Sequence, residues 1–248
     1  MYLVELEKIK KRYGKKIILD NFSMKIREGE IFGLIGQSGG GKSTVLRILL
    51  GMAGISSGNI YFNGKDALSN LNFLRKKTGF ATQENTLIDE LSMWENAVYF
   101  GRLYGLSGKI IRTRFKELIS LLDLDGYEDL GVRNLSGGMK KRANLLISLI
   151  HNPKLLILDE PTTGLDTILR ESLWKYIRQI NKEGTTILVT SHLLDEIENN
   201  CDTIAILGRG KIITSGLIKD YFDSFPGKKS LNEIFLEVLK NENSFYNN

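Results

Sequence analysis

A short apolar run, Ile31-Phe32-Gly33-Leu34-Ile35, leads directly into Gly36-Gln37-Ser38-Gly39-Gly40-Gly41-Lys42-Ser43-Thr44. The run has no polar alternation, the mark of a strand covered on both faces. Ser43 to Leu50 then reads as a helix stopped by Gly51. Strand, glycine loop and helix, in that order, form the context in which G-x-x-x-x-G-K-[ST] cradles phosphate. Glycines let the backbone curl around an anion with its N–H groups inward. The helix N-terminus adds partial positive charge at the same place. Lys42 can reach the β- and γ-phosphates of a nucleotide, and Ser43 can ligate Mg²⁺. An ordinary glycine-rich turn is the competing reading, and the strand-to-helix context disfavours it. The chain is thereby restricted to an α/β fold with a nucleoside triphosphate at the end of a buried strand.

The 248 residues suit one α/β domain, or one with an inserted lobe. Net charge is +5 and is spread along the chain. A nucleic-acid partner would call for basic clusters interleaved with aromatics, so none is expected. Cys201 is the single cysteine, which excludes an internal disulfide and fits a reducing compartment. Met1 to Lys11 alternates apolar and charged residues and lacks the apolar core of a signal peptide. Uninterrupted apolar runs such as Leu145-Leu146-Ile147 are too short to span a bilayer. Any membrane part is therefore expected from another chain.

Elsewhere the pattern predicts antiparallel strands near the N-terminus, at Leu3–Glu7 and Phe22–Ile26, and another strand from Ser57 to Asn63. Gly79 to Thr82 reads as a strand ending at Gln83. From Asp89 to Leu149 the period turns helical, with Ile111, Phe115, Leu118, Ile119 and Leu122 on one face. Leu155–Leu158 and Thr186–Val189 read as buried strands with a helix between them. Ile204 to Ile213 carries a hairpin signal, and Leu231, Ile234, Phe235, Val238 and Leu239 an amphipathic helix.

Two further clusters carry chemistry. Asp159-Glu160 closes the strand Leu155–Leu158, at the strand end where α/β sheets bind ligands. Successive strand side chains point to opposite sides, so the two acids need not share a task. Asp159 can hold Mg²⁺, and Glu160 can polarise the water that attacks a γ-phosphate. Leu135-Ser136-Gly137-Gly138-Met139 places a serine and two glycines at a helix start, where Ser136 can cap and bare N–H groups can meet an anion.

With these residues in hand, the whole chain resembles the nucleotide-binding domain of ATP-binding-cassette (ABC) transporters. Ser136-Gly137-Gly138 is similar to the family signature LSGGQ, and Pro161-Thr162-Thr163-Gly164-Leu165-Asp166 to the segment ending in the D-loop. Gln83 matches the Q-loop glutamine, His192 the switch histidine and Tyr13 the aromatic that stacks on adenine. These elements follow the family order over nearly the full length. The resemblance implies a P-loop ABC ATPase fold: a mixed core sheet, an N-terminal antiparallel part, a helical lobe near 84–150 and a helical tail near 217–248. It implies ATP and Mg²⁺ as ligands, with Ser43, Gln83 and Asp159 at the metal. Glu160, His192, Gln83 and Lys42 are the implied catalytic residues. Tyr13, the loop from Gly36 to Thr44, Ser136–Gly138 and Asp166 are the implied nucleotide contacts. It further implies a head-to-tail dimer, with itself or a paralogous ATPase, on the cytoplasmic face of the membrane beside a separate integral-membrane subunit.

The signature ends in Met139 rather than Gln, so ribose-side contacts that need an amide are not expected. LSGGM followed by Lys140-Lys141-Arg142 resembles an exporter-like branch, as do the stretches around Trp94–Leu106 and Ser230–Leu236. Met93, Trp94, Tyr99, Phe100 and Tyr104 read equally as a groove for a membrane subunit and as core. A soluble ABC ATPase, such as an iron–sulfur assembly scaffold, is the alternative function. The transported substrate is not written in this chain.

Overall fold

The computed structural model describes residues 1–82, 84 and 86–246. The chain begins with β1 (Tyr2–Tyr13), β2 (Lys16–Arg27), β3 (Ile31–Gly36), α1 (Lys42–Leu49), β4 (Ser57–Phe62), β5 (Lys65–Asp66) and α2 (Leu71–Lys77). It continues with β6 (Thr78–Ala81), α3 (Met93–Leu103), α4 (Gly108–Leu121), α5 (Gly137–Leu149), β7 (Leu155–Asp159) and α6 (Thr167–Lys182). The last part holds β8 (Thr186–Thr190), α7 (Leu194–Asn200), β9 (Thr203–Gly208), β10 (Lys211–Leu217), α8 (Ile218–Ser224) and α9 (Leu231–Tyr246). Two compact units result, one of residues 1–75 and 186–248, the other of residues 76–185.

In the first unit, β2, β1, β4 and β5 form an antiparallel sheet. Strand β1 is longer than the alternation at Leu3–Glu7 suggests, because a bulge intervenes. Lys8 sits at φ +50°, its N–H donates to Ser23 Oγ at 2.9 Å, and the pairing with β2 shifts between Leu6 and Ile9. Buried positions therefore run Val4, Leu6 and then Ile9 rather than Leu6 and Lys8. Asn21, at φ +53°, marks the same break on β2, between buried Leu19 and buried Phe22.

Beside that sheet in sequence, β3 pairs in parallel with β8 and with β9, and β10 closes the hairpin on β9. Every residue of β3, β8 and β9 is buried. The start of β3 is pinned by two acids, Glu30, which is buried, and Asp202, which is exposed. Glu30 accepts from the Arg27 N–H at 2.6 Å and from Thr203 Oγ1 at 2.7 Å, while Asp202 accepts from the Ile31 N–H at 2.8 Å. A strand fixed at its entry delivers its far end, the glycine loop, to a defined place. Helix α9 buries Leu231, Ile234, Val238 and Leu239, and its first N–H, on Leu231, donates to Glu198 of α7 at 2.6 Å.

In the second unit β6 and β7 pair in parallel. Helix α3 opens with a full capping box: Ser92 Oγ accepts from the Glu95 N–H, and Glu95 Oε2 from the Ser92 N–H. Helix α4 buries Ile111, Phe115, Leu118 and Ile119, the face that the periodicity marked out. The structure corrects half of the groove reading. Met93 is 1% exposed and belongs to the core, and Trp94 packs edge-on against Phe115 with centroids 5.2 Å apart. Exposed apolar surface here comes instead from Tyr99, Leu103 and Ile110.

The same unit holds an inward-facing histidine. His151 stacks on Tyr104 at 3.7 Å and 2°, and its Nε2–H donates to the Thr78 carbonyl at 3.2 Å. Its Nδ1 has no partner. Burial pushes its pKa down to about 4, the Thr78 carbonyl works against that, and the charges of Arg114 and Lys77 add to it. The unfolded chain binds this proton near pH 6.5 and the folded chain near 4, so stability is full above pH 6.5 and falls as pH drops toward 4. The loss expected across that window is about 3 kcal/mol. Urea midpoints measured from pH 7.5 to 4.0 should show this slope in the native chain and lose it in His151→Gln.

Candidate functional site

The first unit supplies the phosphate loop. Gly36 is the last residue of β3 and lies against β9, where any Cβ would run into the Leu207 carbonyl oxygen. The Gly40 N–H closes a turn on the Gln37 carbonyl at 3.1 Å. Gly41, at φ +113°, is the N-cap of α1 and offers no side chain to cap it. No side chain caps the first turn of α1. Lys42 is 9% exposed, and its ammonium donates to the carbonyls of Gly36 at 2.6 Å and Gln37 at 3.2 Å. Gln37, Ser38, Gly39 and Ser43 lie at the surface and Thr44 is half-buried.

Two other residues of this unit were singled out by sequence. Tyr13, at the end of β1, is 46% exposed, and the Lys11 ammonium lies 4.5 Å from its ring centroid. Lys11 is itself held by the Gly54 carbonyl at 2.6 Å. His192 lies one residue past the end of β8, after Ser191, and is exposed, within a tight turn in which the Leu193 N–H donates to Ser191 Oγ at 3.0 Å.

The second unit carries the acids and the helix start at Ser136. Asp159 is the last residue of β7, and Glu160 follows with φ +50°. A glutamate in the left-handed region is uncommon, and such backbone strain clusters at functional sites. Thr163 closes the turn, its N–H donating to the Glu160 carbonyl at 3.2 Å and its Oγ1 to Glu160 Oε2 at 3.4 Å. Asp166 is the N-cap of α6 and accepts from the Leu169 N–H at 3.0 Å. Ser136 is the N-cap of α5 and accepts from the Met139 N–H at 3.3 Å. Gly137 is open, whereas a Cβ on Gly138 would press Leu169 at 3.1 Å. Gln83 lies outside the described residues.

Sequence reading passed over two buried asparagines. Asn96, fully buried on α3, receives the Ile88 N–H at 2.9 Å and donates to the carbonyls of Ile88 and Ser92 at 3.1 and 2.9 Å. Asn144, on α5, is 3% exposed and bonds to Thr82 and Thr86. For Asn144, a polar residue directly before the apolar run Leu145-Leu146-Ile147 was the available signal, since buried amides must be hydrogen-bonded.

Among the described residues, no three of His, Cys, Asp and Glu come together as a metal-ligand set, and no helix is long and apolar enough to cross a membrane. The hydroxyl of Ser43 and the carboxylate of Asp159 are hard oxygen donors of the kind Mg²⁺ takes alongside phosphates and water.

The family model described as ABC transporter matches residues 19–163. The Nod factor export ATP-binding protein I of Neorhizobium galegae is 39% identical over 213 residues, which take in 86% of this chain and 61% of that protein. This chain thus spans about three fifths of that relative's length. A solved ATP-binding subunit of an ABC transporter superposes with a TM-score of 0.85 at 26% identity, over 96% of this chain and 99% of that one. A dimeric ATP-binding cassette in a post-hydrolysis state, bound to ADP and Pi, matches with a TM-score of 0.75 at 27% identity, over 87% and 98%.

Proposed function

The chain belongs to the ABC transporter family, and from that premise we propose that it is the ATP-binding and ATP-hydrolysing subunit of an exporter-type transporter. The observation that carries the proposal is the phosphate loop, with a glycine N-cap at α1 and a buried lysine that donates to the carbonyls of Gly36 and Gln37. A triphosphate fits there because Lys42 can exchange two backbone carbonyls for charged phosphate oxygens, which are stronger acceptors. Tyr13 offers a flat face to the adenine, with Lys11 holding the ring. Ser43 and Asp159, with Gln83, would hold Mg²⁺, which screens the charge of the phosphates when bound.

In the proposed reaction Glu160 accepts a proton from water as the water oxygen bonds to the γ-phosphorus. The bond from that phosphorus to the β–γ bridging oxygen breaks, leaving ADP and phosphate. His192 donates to the γ-phosphate and helps place the water. Ser136–Gly138 of a second copy, or of a paralogous ATPase, would complete the site from across a dimer interface that Asp166 helps to order. The γ-phosphate then favours the closed dimer, and its loss favours opening. We place the dimer on the cytoplasmic face of a membrane, against a separate integral-membrane subunit that selects the cargo. The same proposal treats the chain as one nucleotide-binding domain, with a helical lobe near 84–150 and a tail near 217–248. No relative described above speaks for the soluble-scaffold alternative.

The test is biochemical. The purified chain should hydrolyse ATP in a Mg²⁺-dependent way, and the tagged chain should co-purify from membranes with a polytopic protein. An active chain recovered only from the soluble fraction, bound to an iron–sulfur scaffold, would refute the transporter reading. A chain without ATPase activity, alone or with its partner, would refute the enzyme.

A further inference from the structure

The first unit holds a cleft that shares no residue with the proposed nucleotide site. Among the described residues, β2 pairs only with β1 and β10 only with β9, so each is the edge of its sheet. Strand β2 meets the turn before β10, where the Asp20 N–H donates to the Gly210 carbonyl at 3.1 Å. Farther along, Ser23, Met24 and Arg27 of β2 and Ser215, Gly216 and Leu217 of β10 line a cleft of about 370 Å³. That volume lies in the range of small-ligand pockets. An edge strand turns alternate N–H and C=O groups outward, and such groups can pair with the amides of an extended peptide.

Charge in the cleft is divided. Glu30, 8% exposed, lines it, and its oxygens accept from two neutral donors, the Arg27 N–H at 2.6 Å and Thr203 Oγ1 at 2.7 Å. Among the described residues no cation forms an ion pair with it, and a buried carboxylate without a countercharge favours a cation nearby. Asp220, exposed in the first turn of α8, adds a second negative charge to the lining. Two cations oppose these acids. Lys25 is taken up by Glu5 at 2.7 Å, whereas no acid among the described residues pairs with Arg27.

We propose that this cleft binds a short peptide with free ends. Its ammonium end meets Asp220, with the negative charge of Glu30 adding to the attraction. Its carboxylate end meets the Arg27 guanidinium, whose planar fork suits two parallel hydrogen bonds to a carboxylate. The amides between the ends pair with the open edges of β2 and β10, which a single amine or a single carboxylate could not use.

The probe is trialanine with both ends free, titrated into the full chain by calorimetry. It should bind with a Kd of about 1 mM or tighter. Acetylating its N-terminus or amidating its C-terminus should each weaken binding about tenfold. Asp220→Asn should cancel most of the cost of acetylation, and Arg27→Gln most of the cost of amidation, because each pairing removes one contact twice. Both side chains are exposed, and the bond from Arg27 to Glu30 is made by the backbone N–H, so both variants should keep the fold. Failure to bind at about 10 mM, equal binding of the doubly blocked peptide, or additive costs in the variants overturns the proposal. Putrescine binding as tightly as trialanine would make the cleft a plain cation site and overturn it as well. ATP turnover has no part in the readout, so the cleft stands or falls apart from the proposed ATPase function.

Discussion

Replacing Glu160 with Gln is expected to slow ATP turnover by about a thousandfold while ATP affinity stays within about twofold. The amide has the shape of the carboxylate but cannot take a proton from the attacking water, and a positioned base contributes roughly 10²–10⁴-fold. Local structure should survive, because the contact from Thr163 Oγ1 needs only an acceptor oxygen, which Gln retains. With hydrolysis blocked and binding intact, the ATP-bound dimer should accumulate. Light scattering with Mg²⁺-ATP would report it as a doubled mass that falls back on nucleotide removal. Full turnover in the variant would show that Glu160 is not the base and that its φ of +50° serves the turn alone.

Lys42→Ala is expected to act at the opposite stage. Its ammonium is buried and bonded to two carbonyls of its own loop, so the native chain already holds the charge where phosphate would arrive. Hydrogen bonds to a charged group contribute about 1.5–3 kcal/mol each, so losing two such contacts to phosphate should weaken ATP binding by about a hundredfold or more. Calorimetric titration with ATP would measure it, and turnover at saturating ATP would separate binding from chemistry. The variant that leaves affinity intact while abolishing turnover would reverse the assignments of Lys42 and Glu160. The two substitutions together divide the cycle into a step that needs the loop and a step that needs the acid.

The phosphate loop was legible because its chemistry forces its spelling. Only glycines fit at Gly36, against the Leu207 carbonyl, and at Gly41, with φ +113°. The fully buried strands were legible for a similar reason, since a strand covered on both faces has no place for polar residues. The N-terminal strands were read only in fragments. Bulges at Lys8 and Asn21 switch the inward parity midway, and a period-2 pattern cannot be followed across such a switch. Caps were seen as possibilities at Ser136 and Asp166, and both are caps here. The asparagine grips at Asn96 and Asn144 were missed because their partners are backbone groups and a threonine distant in sequence. A buried amide advertises that it has a partner but not which one.

The sequestration of Cys201 has a practical corollary. The thiol sits at the C-terminal end of α7, buried, with its ionisation pushed far upward first by that burial and then by the neighbouring Asp202 carboxylate. Thiolate is the reactive form, so alkylating and oxidising reagents find almost nothing to attack while the fold is closed. Because the sequence has no second cysteine, modification at this sulfur keeps time for a single event, the opening of the structure around the end of α7. Nature has in effect left an internal clock beneath β3, one that can be read without altering a residue.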